Sequence, residues 1–339
     1  MTPKSGDRFS GKVMPAKIGA VAHIREPEMP AKSPSGQLEK ALASGRFVMT
    51  AEVTPPVSCN VADLLDKALP LKSLADAVNV TDGAGARAHL GALASAVLLQ
   101  RNEIEPVLQL TCRDRNRLAL QSDLLGAAAL GIRNLLVLRG DDPSAGDQPD
   151  AKPVFDLDSG ALIATAVGIR ERGELPSGRK VTGKADFFIG AADMPIDPPK
   201  DWQPKSLKAK IAAGAQFAQT QFCMDIGVVK RYVARLARDR LTEKISLLIG
   251  VVPLRSGRSA RWIKEQLFGA IIPDDIVERL EYSGDPVAEG KQICVDFIAQ
   301  LSEVPGVAGA HIMAPNNEAA IPDVIAKARK LVKNRALAS

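Results

Sequence analysis

From Arg46 onward the chain alternates short apolar runs rich in Val, Ile, Leu and Ala with longer stretches in which apolar residues recur at helical spacing. The first pattern predicts buried strands, and the second predicts amphipathic helices packed on them. Runs at 47–51, 77–80, 107–110, 134–138, 187–190, 217–220, 246–252 and 309–313 give eight predicted strands. Helical spacing occupies intervals such as 61–74, 115–130, 226–237 and 319–332, with Gly or Pro near several ends. Eight strands joined by crossovers predict an α/β fold, a single (β/α)8 TIM barrel over residues 36–339. A doubly wound open sheet would more often show fewer strands and a Gly-rich first turn, and the chain holds no GxGxxG and no GxxxxGK followed by Ser or Thr. Residues 1–35 lack periodicity and mix Pro, Lys, Gly and Ser, which predicts an N-terminal arm, extended or partly disordered. Residues 170–184 read as an insertion forming a surface loop before the fifth strand.

Barrel enzymes build their sites from the residues that follow each strand. Here those are Glu52-Val53-Thr54-Pro55-Pro56, Thr81-Asp82-Gly83, Thr111-Cys112, Arg139-Gly140-Asp141, Ala191-Ala192, Gln221-Phe222, Pro253 and Pro315-Asn316-Asn317. So many carboxylates, amides and hydroxyls at one end of a barrel predict a shared pocket.

Composition narrows the class of ligand. With 46% apolar residues the chain can fill a full core, and with 4% aromatics it has no stacking platform for nucleic acid. A net charge of +5 suits a small anion, and the basic residues are scattered. Cys59, Cys112, Cys223 and Cys294 lie far apart with no CxxC pair, and no apolar run is long enough to span a bilayer. These features predict reduced thiols in a cytoplasmic protein, with no metal, membrane or nucleic-acid partner. Ser58 and Ser256 have no neighbouring His to serve as base, so a nucleophilic triad is not expected. His89 and His311 have no metal-ligand partners at the usual spacing and read as structural or as ligand contacts.

Several residues carry two readings. A carboxylate at a buried strand end needs a partner or a use, so Glu52 is either salt-bridged to an arginine or a general acid with a raised pKa. Asp141 is either a helix N-cap before Pro143 or part of a site in which Gly140 admits a ligand and Arg139 meets phosphate. Gln221 either grips the edge of a heterocycle or satisfies backbone groups. Lys205, Lys208 and Lys210 form a solvated helix face or hold a diphosphate.

Together, Glu52-x-x-Pro55-Pro56, Val80-Thr81, Leu110-Thr111-Cys112, Leu138-Arg139-Gly140-Asp141, Ala213-Gly214-Ala215 and Thr220-Gln221-Phe222 resemble, in order and spacing, the methylenetetrahydrofolate reductases. The resemblance covers residues 40–335, the catalytic barrel of the short bacterial kind. It implies non-covalent FAD along the strand ends, hydride exchange with NADH or NADPH, and methylene- or methyltetrahydrofolate as substrate. It further implies that Glu52 protonates the folate and that Asp141 lies between pterin and flavin. Gln221 would contact the pterin. Thr81, Gln109, Arg139, Gly140, Asp141, Ala191, Ser206 and Lys210 take the FAD-contact positions. Ser259 stands where the family has a pterin-side Gln, Ile263 where a Phe stacks on the nicotinamide, and Asn317 where some members hold the folate tail with Arg. Trp262 stands beside Ile263. A homo-oligomer is expected from the family. The rival expectations are a flavin-free folate methyltransferase barrel and a non-catalytic folate or flavin binding subunit.

Overall fold

The structure, a computed structural model, describes residues 36–332; the arm expected at 1–35 and the last seven residues lie outside the described residues. Eight strands, β1 (Val48–Val53), β2 (Ala77–Val80), β3 (Pro106–Thr111), β4 (Asn134–Leu138), β5 (Phe188–Asp193), β6 (Phe217–Phe222), β7 (Ser246–Val251) and β8 (Val307–Ile312), pair in parallel in chain order. Pairing of Val48 with Gly309 returns β8 to β1 and closes the barrel. The TIM barrel predicted from the eight apolar runs is therefore the fold.

Helix α1 (Gln37–Ala43) precedes the barrel. The crossovers are α2 (Val61–Ala68), α3 (Ala92–Arg101), α4 (Arg117–Ala129), α5 (Ser159–Arg172), α6 (Lys205–Ala213) and α7 (Ile226–Arg238). After β7 come α8 (Gly257–Gln266), α9 (Asp274–Glu281) and α10 (Pro286–Ser302), and α11 (Ile321–Leu331) follows β8. Many helices start where a short polar side chain takes the first free backbone N–H groups: Asn60, Asn116, Asp158, Asp225, Ser256 and Asp285 cap α2, α4, α5, α7, α8 and α10.

Local chemistry moves several predicted boundaries. The helix expected over 61–74 ends at Ala68 and tightens into a 3-10 turn at Leu69–Leu71, because Pro70 cannot donate to the helical ladder. The loop expected at 170–184 begins after Arg172, where Gly173 ends α5 in the left-handed region. Most important for the site, the first strand extends to Val53, so Glu52 lies within β1 rather than after it.

The barrel interior is layered. At the amino-terminal end, Val48, Ala77, Val107, Leu136, Phe188, Phe217 and Leu248 form an apolar layer closed from below by Leu38 and Ala41 of α1. Phe188 and Phe217 stack at 4.9 Å, and Gly190 is glycine because a Cβ would stand 2.2 Å from the Phe217 ring. Above this plug the inward positions turn polar.

Candidate active site at the barrel mouth

A strand residue two places along points to the same face, so β1 sends Val48, Thr50 and Glu52 inward in sequence. Thr50, Asn79, Gln219 and His311 form a buried polar layer. The Gln219 amide donates to Thr50 Oγ1 at 3.0 Å and to Asn79 Oδ1 at 3.1 Å, and Asn79 returns a bond to Gln219 Oε1 at 2.6 Å. Thr50 Oγ1 lies 2.9 Å from His311 Nδ1. With Thr50 already accepting from Gln219, passing its own hydrogen to Nδ1 leaves the His311 Nε2–H facing Glu52, 3.6 Å from Oε2. Gln109 Nε2 donates to the same oxygen at 2.7 Å. Glu52 therefore has an amide and an imidazole as its neighbours, not the arginine its salt-bridge reading required. It is 20% exposed, reachable from the mouth while held from below.

The ends of β2, β3 and β4 form one wall. Asp82 accepts from Thr111 N at 2.8 Å and Thr111 Oγ1 at 2.9 Å and also pairs with Arg115, which reaches Asp123 at 2.7 Å. This carboxylate ties the β2 end to the β3 end. Beside it Thr81 Oγ1 is buried with no hydrogen-bond partner, an unusual cost for a hydroxyl. Gly140 sits at φ +89°, and a Cβ there would lie 2.9 Å from Arg113 Cβ and 3.2 Å from Thr111 Cβ. Only glycine lets the backbone take this path, and it leaves the peptide here without a side chain beside it. The Arg139 guanidinium lies over the Phe155 ring, 4.5 Å from its centroid. Asp141 is exposed, and the cap before Pro143 is supplied by Asp142, which accepts from Ser144 N. The N-cap reading of Asp141 is thus removed.

The opposite wall comes from β5 and β6. Lys210 on α6 donates to the Ala192 carbonyl at 2.6 Å. Burial lowers its pKa from the usual lysine range, and the neighbouring Asp193 carboxylate opposes that shift. Burial raises Asp193 in turn, although the Tyr232 hydroxyl donates to it. Ala191, on β5, is fully buried in the core between barrel and helices. Ser206 is exposed on the first turn of α6. Gln221 sits in a register irregularity between β6 and β7. There Gly250 is required, since a Cβ would stand 2.3 Å from the Thr220 carbonyl. Bulges of this kind re-aim a side chain. Gln221 Oε1 accepts from Phe222 N at 3.0 Å and its amide donates to the Phe268 carbonyl at 3.3 Å.

Ser259 and Ser256 form the capping box of α8, which occupies the Ser259 hydroxyl. Asn317 donates to the Pro253 carbonyl at 3.0 Å, joining the β8 and β7 loops. Ile263 is buried against the core, and Trp262 beside it is exposed. Among the described residues no cluster of His, Cys, Asp or Glu is arranged to hold a metal, and no helix is long and apolar enough to cross a membrane.

Sequence reasoning placed Asp82 among the strand-end residues and read His311 as structural or a ligand contact, but missed Thr50, Asn79 and Gln219 and the layer they form with His311. The available signal was polar side chains at period two inside otherwise apolar parallel strands, since Thr50/Glu52, Asn79/Thr81 and Gln219/Gln221 share a face.

Comparison with known proteins agrees with this architecture. Residues 37–329 match the profile of the family described as methylenetetrahydrofolate reductase. The chain is 28% identical over 227 residues to the 5,10-methylenetetrahydrofolate reductase of Pectobacterium carotovorum, covering 64% of this chain and 68% of that one. Against a probable methylenetetrahydrofolate reductase (NADPH) of Caenorhabditis elegans it is 26% identical over 239 residues, covering 68% of this chain. It spans only 33% of the length of that nematode relative and 42% of a fission-yeast one. Among solved structures, an uncharacterized Clostridium thermocellum protein that binds two copies of 5-methyl-5,6,7,8-tetrahydrofolic acid superposes with a TM-score of 0.61 at 13% identity, over 86% of this chain and 98% of that one. The EDTA monooxygenase of Chelativorans sp. reaches 0.54 at 10% identity, over 87% and 96%; both likenesses speak for the fold. With the profile matched along nearly the whole described barrel, the chain belongs to the methylenetetrahydrofolate reductase family.

Proposed function

We propose that the protein is an FAD-dependent 5,10-methylenetetrahydrofolate reductase that interconverts methylenetetrahydrofolate and 5-methyltetrahydrofolate, with NADH or NADPH as electron partner. The observation that carries this reading is Glu52, a carboxyl group at the barrel mouth held by the Gln109 amide and faced from below by buried His311. Proton transfer to a bound molecule suits a carboxyl group that is 20% exposed and has no arginine partner among the described residues.

The residues present fit a flavin. The unpartnered Thr81 hydroxyl, the bare Gly140 peptide, the Arg139 guanidinium and the half-buried Lys210 ammonium offer donors and positive charge to a ring and a diphosphate. Gln109, Ala191 and Ser206 are the remaining positions the resemblance assigns to the flavin. Bound there, FAD would accept a hydride from the nicotinamide and release it to the folate's one-carbon unit.

The chain's own part is acid–base and positional. In the reductive direction Glu52 donates a proton to the folate nitrogen as the imidazolidine C–N bond breaks, leaving an iminium carbon that takes the hydride. Oxidation of methyltetrahydrofolate runs the same steps backwards, and Glu52 recovers the proton. Asp141 and Gln221 orient the pterin, and the charge of Asp141 bears on the flavin potential. Ser259 and Asn317 border the folate from the β7 and β8 loops. We place the protein in the reducing cytoplasm as a homo-oligomer.

Two measurements test this. The purified protein is expected to show a flavin spectrum that bleaches on anaerobic addition of methyltetrahydrofolate; a colourless protein that cannot be reconstituted with FAD overturns the reading. Glu52→Gln is expected to keep flavin reduction by the nicotinamide and to lose folate turnover by about 10²-fold or more. Equal loss of both half-reactions would take the proton from Glu52.

A further inference from the structure

The turn after α8 is fixed to the barrel mouth yet leaves an aromatic ring in water. Phe268 is 85% exposed, while Ile272 is buried and Leu267, Ala270 and Ile271 are half-buried. Its backbone is held on every side. Ala270 N bonds the Leu267 carbonyl at 3.0 Å, Ile271 N bonds the Phe222 carbonyl at 2.9 Å, and Met224 N bonds the Ile271 carbonyl at 2.8 Å. Gly269 at φ +79° presses on the β5 loop so closely that a Cβ would stand 1.9 Å from Met194 Sδ. The Phe268 carbonyl itself accepts from the Gln221 amide at 3.3 Å.

A single exposed phenylalanine is unremarkable on a protein surface. This one differs because its backbone is stitched to the end of β6 and shares a hydrogen bond with the pocket amide. The position at which the family resemblance implies a nicotinamide-stacking Phe is Ile263, whose side chain is buried in the core and presents no face to a ligand. Gln221 spends one amide hydrogen on the Phe268 carbonyl and takes Phe222 N on its oxygen, which leaves a second hydrogen and a lone pair for the edge of a planar heterocycle, and Phe268, whose carbonyl that amide touches, has an exposed flat apolar face.

We propose that Phe268 stacks on the pterin ring whose edge Gln221 hydrogen-bonds, so that amide and ring grip one heterocycle from the edge and the face. The proposal rests on the folate reading of the site. Pterin is planar and polar at its rim, and a phenyl face against it combines dispersion with a favourable ring geometry at little entropic cost, since the phenylalanine backbone is already ordered. Phe268 is thus a substrate-binding residue contributed by the β7 loop and acting at the β6 end.

The test is calorimetric titration of the oxidised holoenzyme with 5-methyltetrahydrofolate, using wild type, Phe268→Ala, Phe268→Tyr, Gln221→Ala, the double variant, and Tyr282→Ala as an equally exposed aromatic (88%) elsewhere. Phe268→Ala is expected to weaken binding roughly tenfold, about 1.4 kcal/mol. Phe268→Tyr should stay near wild type, Tyr282→Ala should change nothing, and the double variant should lose less than the sum of its parts because both residues hold one ring. Unchanged thermal midpoints will show that folding is intact. If wild type binds the folate and Phe268→Ala binds it equally well, the proposal falls while the folate reading stands. If wild type binds none, the folate reading itself falls and takes the proposal with it.

Discussion

His311 shows how a residue with no chemical neighbours in the sequence acquires a role from the fold. It lies 261 positions from Thr50, yet the two side chains meet at 2.9 Å, and its other ring nitrogen faces Glu52. Replacing His311 with asparagine, whose amide reaches the place of Nδ1 but not that of Nε2, leaves Thr50 a polar partner and removes the group facing Glu52. We expect His311→Asn to lower folate turnover about tenfold, while flavin reduction by the nicotinamide is unaffected. Stopped-flow traces of the two half-reactions will separate this from a structural defect, which slows both alike. A buried bond remade imperfectly costs about 1–3 kcal/mol, so some loss of thermal midpoint should accompany the change.

The irregular pairing of β6 and β7 is an element-scale device. Gly250 brings the two backbones close enough for its N–H to bond Thr220 Oγ1 at 2.9 Å, and the next inward residue of β6 is Gln221. Gly250→Ala would push a methyl group to within 2.3 Å of the Thr220 carbonyl and 2.7 Å of the Gln221 carbonyl. Backbone cannot swing aside as a flexible side chain can, so the strands must separate, at about 1–3 kcal/mol. The expected result is a lower melting temperature together with a raised KM for the folate and an unchanged flavin content. A variant that melts lower but binds folate normally would show that the irregularity serves packing and not the aim of Gln221. The sequence around 217–222 announces a strand, since Phe, Ala and Thr alternate with glutamines. It does not announce the irregularity, because the reason for it is a glycine on another strand.

At the scale of the molecule, the eight strands were legible because parallel strands buried on both faces read as apolar runs, and the site's position was legible because strand ends carried Glu52, Thr81, Asp141 and Gln221. The contents of the barrel were less so. Period-two polar residues such as Asn79 and Gln219 bond across 140 positions, and no local pattern pairs them. Nor does the apolar spacing of α1, seven residues long, show that it closes the barrel floor. That closure can be tested. Leu38 is fully buried against the layer of Val48, Leu248 and Phe217. Leu38→Asp would place a carboxylate in that apolar layer, and an unpaired buried charge costs several kcal/mol. All eight strands share one closed hydrogen-bonded sheet, so the loss should be felt by the barrel as a unit: one cooperative transition, shifted down by roughly 10 °C. The site lies at the opposite end, so the folded fraction should keep its KM for the folate. A separate early transition with the main one unmoved would mean that α1 detaches without opening the floor, and that the apolar layer above it seals the barrel alone.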